Sequence, residues 1–463
     1  MKRFTYELKR MTWLMLLLVC VQGTTVAQNI GDTFTADKLK YCVLNKQEVE
    51  VCGHVDDRWD ATGEVIIPET VEAAEWNRNY TVTTIGNYAF YGRSGLTEIN
   101  IPNSVTTIES EAFRDCSGLR AINIPNSVTT IERQAFYDCS GLTEINIPNS
   151  VTTIGEAAFY GCSGLTEINI PNSVTTIESH AFHGCSGLTA INIPNSVTTI
   201  GEGAFYGCSG LTALTVNADN AHFSSSEGVL LDKSQQKLIQ CPAGKKGEYK
   251  IPNSVTKIGE YAFGGCSGLT DINIPNSVTT IGEYAFIGCS GLTDINIPNS
   301  VTTIGEYAFG DCSGLTAINI PNSVTTIGNR AFSFCGRLTS INIGNSVTSI
   351  GNEAFYNCSG LETLYFHSIN PPTTTRYCFE RCYNIQTIYV PQEAVATYQA
   401  TEPYNEYNIQ GMDETTGVGE VKTTEVPQSG NIYDLNGRLV RTDGNLQALP
   451  KGIYILNGKK VVR

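Results

Sequence analysis

Cysteine is the first residue type here whose number and spacing could do chemistry. Cys116, Cys139, Cys162, Cys185 and Cys208 stand 23 residues apart, and so do Cys266, Cys289, Cys312, Cys335 and Cys358. In an oxidising compartment such a ladder invites disulfides. Geometry opposes them. Equivalent residues on successive stacked coils would lie about 4.8 Å apart, and parallel side-chain vectors would hold the Cβ atoms beyond the usual bridging distance. Five cysteines per block also leave one over. The expectation is therefore a column of buried thiols packed as small apolar groups. Cys42 and Cys52 are a different case, because they fall on adjacent predicted strands and are a candidate disulfide pair.

Catalysis needs a poised acid, base or nucleophile, and few residues here qualify. His180 and His183 flank Ala181-Phe182, with Cys185 next. No H-E-x-x-H arrangement accompanies them, and Cys185 occupies a repeat position, so both histidines are read as solvent-facing substitutions rather than metal ligands. His54, His222 and His367 are isolated, and Gly417-Val418-Gly419 is too slight to be a phosphate loop. The expectation is no enzyme, no metal site and no cofactor.

Binding residues are better represented. Asn100, Asn123, Asn146, Asn169 and Asn192 recur in one column, and Asn273, Asn296, Asn319 and Asn342 continue it. Beside them run Glu98, Glu144, Glu167, Asp271 and Asp294. Amide ladders stabilise stacked strands, so the asparagines have a structural reading as well as a ligand-binding one. The acids are less easily explained by structure, because Glu144 beside Glu167, and Asp271 beside Asp294, place like charges one rung apart. A cationic ligand or calcium would relieve that. Tyr261, Tyr284 and Tyr307 form a second candidate stripe, since tyrosine combines contact area with a polar tip; packing against neighbouring coils explains them equally well.

All these residues are positioned by one repeated element. Phe90, Phe113, Phe136, Phe159, Phe182 and Phe205, then Phe263, Phe286, Phe309, Phe332 and Phe355, keep the cysteines' beat. A full unit reads LTEINIPNSVTTIGEAAFYGCSG from Leu142. Ile145 and Ile147 alternate with Asn146 as on a strand. Pro148 lacks a donor and ends it, and Asn149-Ser150 is turn chemistry. Val151 and Ile154 return inward on a second short segment. Ala158-Phe159 is expected on a short helical or 3₁₀ turn, with Gly164 as the left-handed residue that ends it. One coil cannot bury its own apolar side, so coils must stack into a solenoid.

The run C-x-G-L-T-x-I-x-I-P-x-S-V-x-x-I-G-x-x-A-F resembles the BspA-like leucine-rich repeats of bacterial surface proteins, over about residues 85–390. The resemblance implies an α/β-type leucine-rich-repeat solenoid with parallel strands on one face. It also implies a role in adhesion to host matrix proteins or other bacteria. Departures from the period mark the ends and one insertion. Residues 28–84, with strand-like runs at Tyr41–Leu44, Val49–Val51 and Val65–Ile67, are expected to form a β cap. A unit 12 residues longer, at about 211–247, is expected to carry a hairpin of Val229–Leu231 and Lys237–Gln240. Arg93 replaces the first cysteine, and Cys378-Phe379 replaces Ala-Phe in a worn last unit. Residues 391–430 read as cap end and linker. Residues 431–463 contain Ile432–Leu435 with Asn436-Gly437 and Ile453–Leu456 with Asn457-Gly458; they resemble the C-terminal sorting domains of type IX secretion.

Composition narrows the partners. The 463 residues are 16% charged with a net charge of −15. That argues against nucleic acid, which needs clustered cations. Lys2 to Arg10 and the apolar Met11 to Val21 read as a signal peptide cleaved after Ala27, too short to span a membrane; a lipid-modified Cys20 is the rival reading. Cleavage would remove four cations and one anion, leaving −18. The expectation is a monomeric protein, secreted or on the outer surface of a bacterium. Its expected ligand is an extracellular protein or glycan, met on the strand face around Glu98, Asn100, Glu144, Asn146, Glu167, Asn169, Asp271, Asn273, Asp294 and Asn296. Glycan capture and a passive surface layer are the alternatives to adhesion.

Overall fold

The structure, a computed structural model, describes residues 29–54 and 63–412, together with four short strands between 432 and 462. The signal-peptide reading, the linker from 413, and the Asn436-Gly437 and Asn457-Gly458 turns lie outside the described residues.

Each 23-residue unit makes one coil, and about 14 coils stack into a leucine-rich-repeat solenoid. Two parallel ladders run along it. The first contains the expected strands: Gly63–Ile66, Leu96–Asn100, Ala121–Asn123 and Glu144–Asn146 pair in sequence. Ala317–Ile320, Ser340–Ile343, Thr363–Phe366 and Thr387–Pro391 continue it after the long unit. The second ladder is built from the Thr-Ile pair of each unit. Thr130–Ile131 pairs with Thr153–Ile154, and that with Thr176–Ile177. Val and Ile of this segment point inward and are fully buried, for example Val151 and Ile154.

The side opposite the first ladder is not helical, which corrects the α/β description and the expected helical or 3₁₀ turns. Among the described residues the only α-helix is Val395–Gln399, in the C-terminal cap. The reason is visible in the backbone donors. A helix needs consecutive N–H groups to bond within the segment. Here alternate donors leave the coil: Gln134, Phe136 and Asp138 donate to Glu156, Ala158 and Tyr160 of the next coil at 2.8, 2.8 and 2.7 Å. The residues between them, Ala135, Tyr137 and Cys139, close local turns onto Glu132, Gln134 and Phe136. Gln134 and Asp138 sit at positive φ (55° and 52°), which breaks any helical run every fourth residue. The turn side is thus a third, irregular hydrogen-bonded seam between coils. The left-handed glycine is Gly161 (φ 69°), not Gly164. Gly164 is needed for a different reason: a Cβ there would lie 2.6 Å from the Ser140 carbonyl oxygen.

The core is a set of columns. The phenylalanine rings stack at centroid separations from 4.9 Å (Phe263–Phe286) to 5.8 Å (Phe182–Phe205). The ladder cysteines are free and buried, and each thiol but one donates to the Phe carbonyl of the preceding coil, as Cys139 does to Phe113 at 3.0 Å; Cys266, which follows the long unit, faces the Cys241 and Pro242 carbonyls instead. Cys42 and Cys52 form a disulfide. They lie on Leu39–Val43 and Glu48–His54, an antiparallel pair at the N-terminal end, and Glu48–Val51 passes the ladder on to Thr81–Ile85.

The long unit carries three strands rather than two. Phe223–Ser226, Val229–Asp232 and Lys237–Gln240 form an antiparallel meander, and the last pairs in parallel with Lys257–Ile258 to restart the second ladder. Asn220, fully buried, pins the meander: its amide donates to the carbonyls of Pro194 and Val197, and its oxygen accepts from the N–H groups of His222 and Phe223. The buried apolar residues form two contiguous clusters that meet here, at Val229 and Leu230. At the far end Tyr398 and Tyr404 are buried over the last coil. Separately, Leu439–Arg441, Ile432–Tyr433, Ile453–Leu456 and Lys459–Val462 pair as an antiparallel sheet in that spatial order.

Candidate functional site

The strand face owes its composition to the period of two in L-x-x-I-x-I. Ile145 and Ile147 are consumed by the core, while Glu144 and Asn146 point away and are exposed. The same holds for Glu98, Asn100, Glu167, Asn169, Asp271, Asn273, Asp294 and Asn296. Register aligns them. Asn100, Asn123 and Asn146 are directly opposite one another across two rungs, with Ala121 between Glu98 and Glu144. Shallow depressions lie over these columns. One is lined by Glu98, Asn100, Asn123, Glu144 and Asn146, another by Asp271, Asn273, Asp294 and Asn296.

The asparagine column does not spend its amides on itself. Among the described residues, its one side-chain hydrogen bond is at Asn192, whose oxygen accepts from Thr215 at 3.2 Å. The ladder-stabilising role of these amides is therefore slight, and their donors and acceptors face solvent.

The acid columns are longer than the repeat period indicates. Glu64 lies opposite Glu98, and Glu248 opposite Asp271. Both were missed because they fall in the N-terminal cap and the long unit, where the cysteine and phenylalanine beat fails. A signal was available: GEVIIP at Gly63 and GEYKIP at Gly247 echo the TEINIP of a regular unit. Wherever acid follows acid, the ladder is irregular. The Glu64–Glu98 and Glu248–Asp271 steps each adjoin a register shift. The coils of Glu167 and Asp294 have no strand, and the latter keeps a single bridge, Asn296 to Asn319. Like charges on adjacent rungs weaken pairing, and here they coincide with its loss.

The tyrosine stripe has a different geometry. Tyr261, Tyr284 and Tyr307 stack nearly parallel at 4.7 and 5.0 Å, so their faces cover one another and only edges reach solvent. Each sits at positive φ on the turn seam. Arg330 donates to the Tyr307 hydroxyl and closes the row. A second stack, Tyr137–Tyr160–His183, joins it through Tyr206 and Tyr261. His183 is thus part of a ring stack rather than solvent-facing. Burial, then the neighbouring His180 charge, pushes its pKa down to about 4. Among the described residues no group of three His, Cys, Asp or Glu converges as metal ligands would. No helix among them is long and apolar enough to cross a membrane.

These features define a leucine-rich-repeat solenoid with an exposed polar strand face. The BspA-type leucine-rich repeat region model matches six copies, over residues 81–224, 245–362 and 311–413, and the chain belongs to that family. A leucine-rich cell surface protein of Faecalibacterium prausnitzii is 31% identical, with a TM-score of 0.60, over 73% of this chain and 95% of that one. The pneumococcal vaccine antigen PcpA shares the fold at 22% identity and a TM-score of 0.64, over 83% of this chain and all of that one. A search of curated protein sequences finds no match.

Proposed function

We propose that this protein is a secreted or surface-displayed bacterial binding protein. Its strand face would hold a basic protein partner through many weak, equivalent contacts. The observation that carries this reading is the strand face itself: stacked acid and amide columns, exposed, with nearly all of their hydrogen-bonding groups unspent. A platform already fixed by the core loses little entropy on binding, and repeated contacts add avidity without one strong site. The likeness to a leucine-rich cell surface protein supports the placement outside the cell. So does the Cys42–Cys52 disulfide, a bond favoured in oxidising compartments. The proposal includes cleavage after Ala27, a monomeric state, and delivery directed by the tail from Asn431. Unchanged surface display of a chain lacking 431–463 would sink the last part.

The deciding experiment changes Glu144, Glu167, Asp271 and Asp294 to Ala together. The mature protein would first be screened against matrix proteins and glycans. Affinity for the protein partner found should fall by about tenfold or more, while stability holds or rises because like-charge neighbours are removed. Full affinity in the folded quadruple variant would rule the face out. Glycan capture is the second reading, favoured by the stacked Tyr365–Tyr389 pair at the end of the strand face. Retention of glycans but not proteins would establish it, and retention of neither would leave a passive layer.

A further inference from the structure

The turn edge changes character along the solenoid. Along Tyr137–Tyr160–His183 and along Tyr261–Tyr284–Tyr307 its rings lie face to face and shield one another. In the last coils they do not. Phe334 and Tyr356 meet edge-on, 5.3 Å apart at 68°, which leaves ring faces open. Phe334 is 45% exposed, Tyr377 42% and Tyr383 85%. Such rings lose contact with water only if something else covers them.

Charge is distributed in the same way. From Gly259 to Met412 the chain carries twelve acidic residues and only four basic ones, Arg330, Arg337, Arg376 and Arg381. All four lie on turn segments between 330 and 381. Arg330 is neutralised by Glu353 at 2.5 Å. Arg337, Arg376 and Arg381 are exposed and, among the described residues, form no ion pair. Arg376 lies over the Tyr377 ring at 4.8 Å, and Arg381 over the Tyr356 ring at 5.2 Å. Glu380 and Glu406 are near enough for Arg376 to feel their charge, but neither reaches ion-pair distance.

We infer that this end of the turn edge is a second docking surface, for an acidic protein segment that also carries apolar or aromatic side chains. Complementary charge specifies the acidity: exposed, unpaired guanidinium groups stand on a molecule whose other face repels anions. Those of Arg376 and Arg381 are each held over a ring and so are ordered before binding. Tyrosine and arginine together are the residues that dominate protein interfaces. Phe334 has no polar atom and gains only by burying apolar surface, which apolar or aromatic side chains of a protein segment supply. The inference does not depend on the strand-face reading, since the two surfaces have opposite charge preferences.

The test uses the mature full-length chain and a random copolymer of glutamate and tyrosine as probe, with poly-glutamate and polygalacturonate as comparators. The copolymer should bind more tightly than either comparator, and more weakly as salt rises. R376S/R381S should weaken copolymer binding by about tenfold or more. F334S/Y383S should weaken the copolymer but leave poly-glutamate unchanged. The strand-face quadruple variant should bind the copolymer as well as the parent does, or better. The inference is overturned by absent copolymer binding, by full binding in a folded R376S/R381S variant, or by polygalacturonate held as tightly as the copolymer.

Discussion

At the scale of single residues, the thiol column is the feature with the most direct chemical consequence. Burial pushes the Cys116 thiol up to about 12 and the Cys139, Cys162 and Cys185 thiols well above their ordinary range. Two outcomes follow. In the native protein these cysteines should react with a thiol reagent orders of magnitude more slowly than after unfolding, because the thiolate is both disfavoured and shielded. Stability should also fall in alkali. The folded pKa is raised, so the protonated form is the one the fold favours. That contribution is complete below the unfolded value near 9 and is lost as pH climbs toward 12. Buried tyrosines such as Tyr41, pushed up to about 12 by burial and then by Asp37, act in the same direction. Denaturant midpoints of the parent and a Cys139→Ala, Cys162→Ala variant, measured from pH 8 to 11, separate the two sources. A slope identical in both would show that these two thiols contribute nothing.

Among the elements, the long unit is where the stacking rules change. The phenylalanine stack stops at Phe205 and resumes at Phe263, and a small cavity lies beside Phe205, lined by Glu202, Gly203, Lys237, Gln240 and Glu260. Burial first, then hydrogen bonding to Glu202 and the charges of Glu202 and Glu283, push the Glu260 carboxyl up to about 7, with Lys237 opposing. A carboxyl raised on folding stabilises when protonated. Its contribution is present below the unfolded value of 4.5 and is lost as pH rises through about 7. The thermal midpoint should therefore rise when pH is lowered from 7.5 to 5.5. In Glu260→Gln that rise should shrink, leaving only the general relief of negative charge. An equal rise in both proteins would mean that the Glu202–Glu260 pair does not govern this seam.

Taken as a whole, the molecule is a one-dimensional array. Coils touch their neighbours through up to three hydrogen-bonded seams and, outside the long unit, the Phe and Cys columns, so stability is close to a nearest-neighbour sum. Phe286→Ala should cost about 3–5 kcal/mol locally. Its effect should be confined: amide exchange should speed up between about Phe263 and Phe309 while the coils around Phe113 to Phe159 keep their protection. Faster exchange throughout the solenoid would show global cooperativity across the long unit instead. The two proposed docking surfaces belong to this scale too. One faces outward from the first ladder and is acidic; the other sits on the turn edge of the last coils and presents the exposed Arg376 and Arg381. Raising salt should weaken association at both, although their partners carry opposite charge.

The sequence by itself determined the solenoid, its period and its inward-facing set, because a stacked array repeats its physics and therefore its residues. Leu142, Ile145, Ile147, Val151, Ile154, Phe159 and Cys162 were legible as core from spacing alone, and all are buried. So were the exposed Glu144 and Asn146 columns, by alternation. What the sequence did not determine was anything set by the partner coil. Ala158-Phe159 looks like a helical turn in isolation; only the next coil's carbonyls, which draw off alternate donors, make it a seam. Glu64 and Glu248 complete the acid columns only through register across a broken period. Asn220 reads as an ordinary loop residue until the fold places Pro194 and Val197 beside it. His183 reads as a surface substitution until Tyr160 stacks on it. In each case the deciding contact spans about one coil or more along the chain, and a single unit's pattern holds no record of what its neighbour offers.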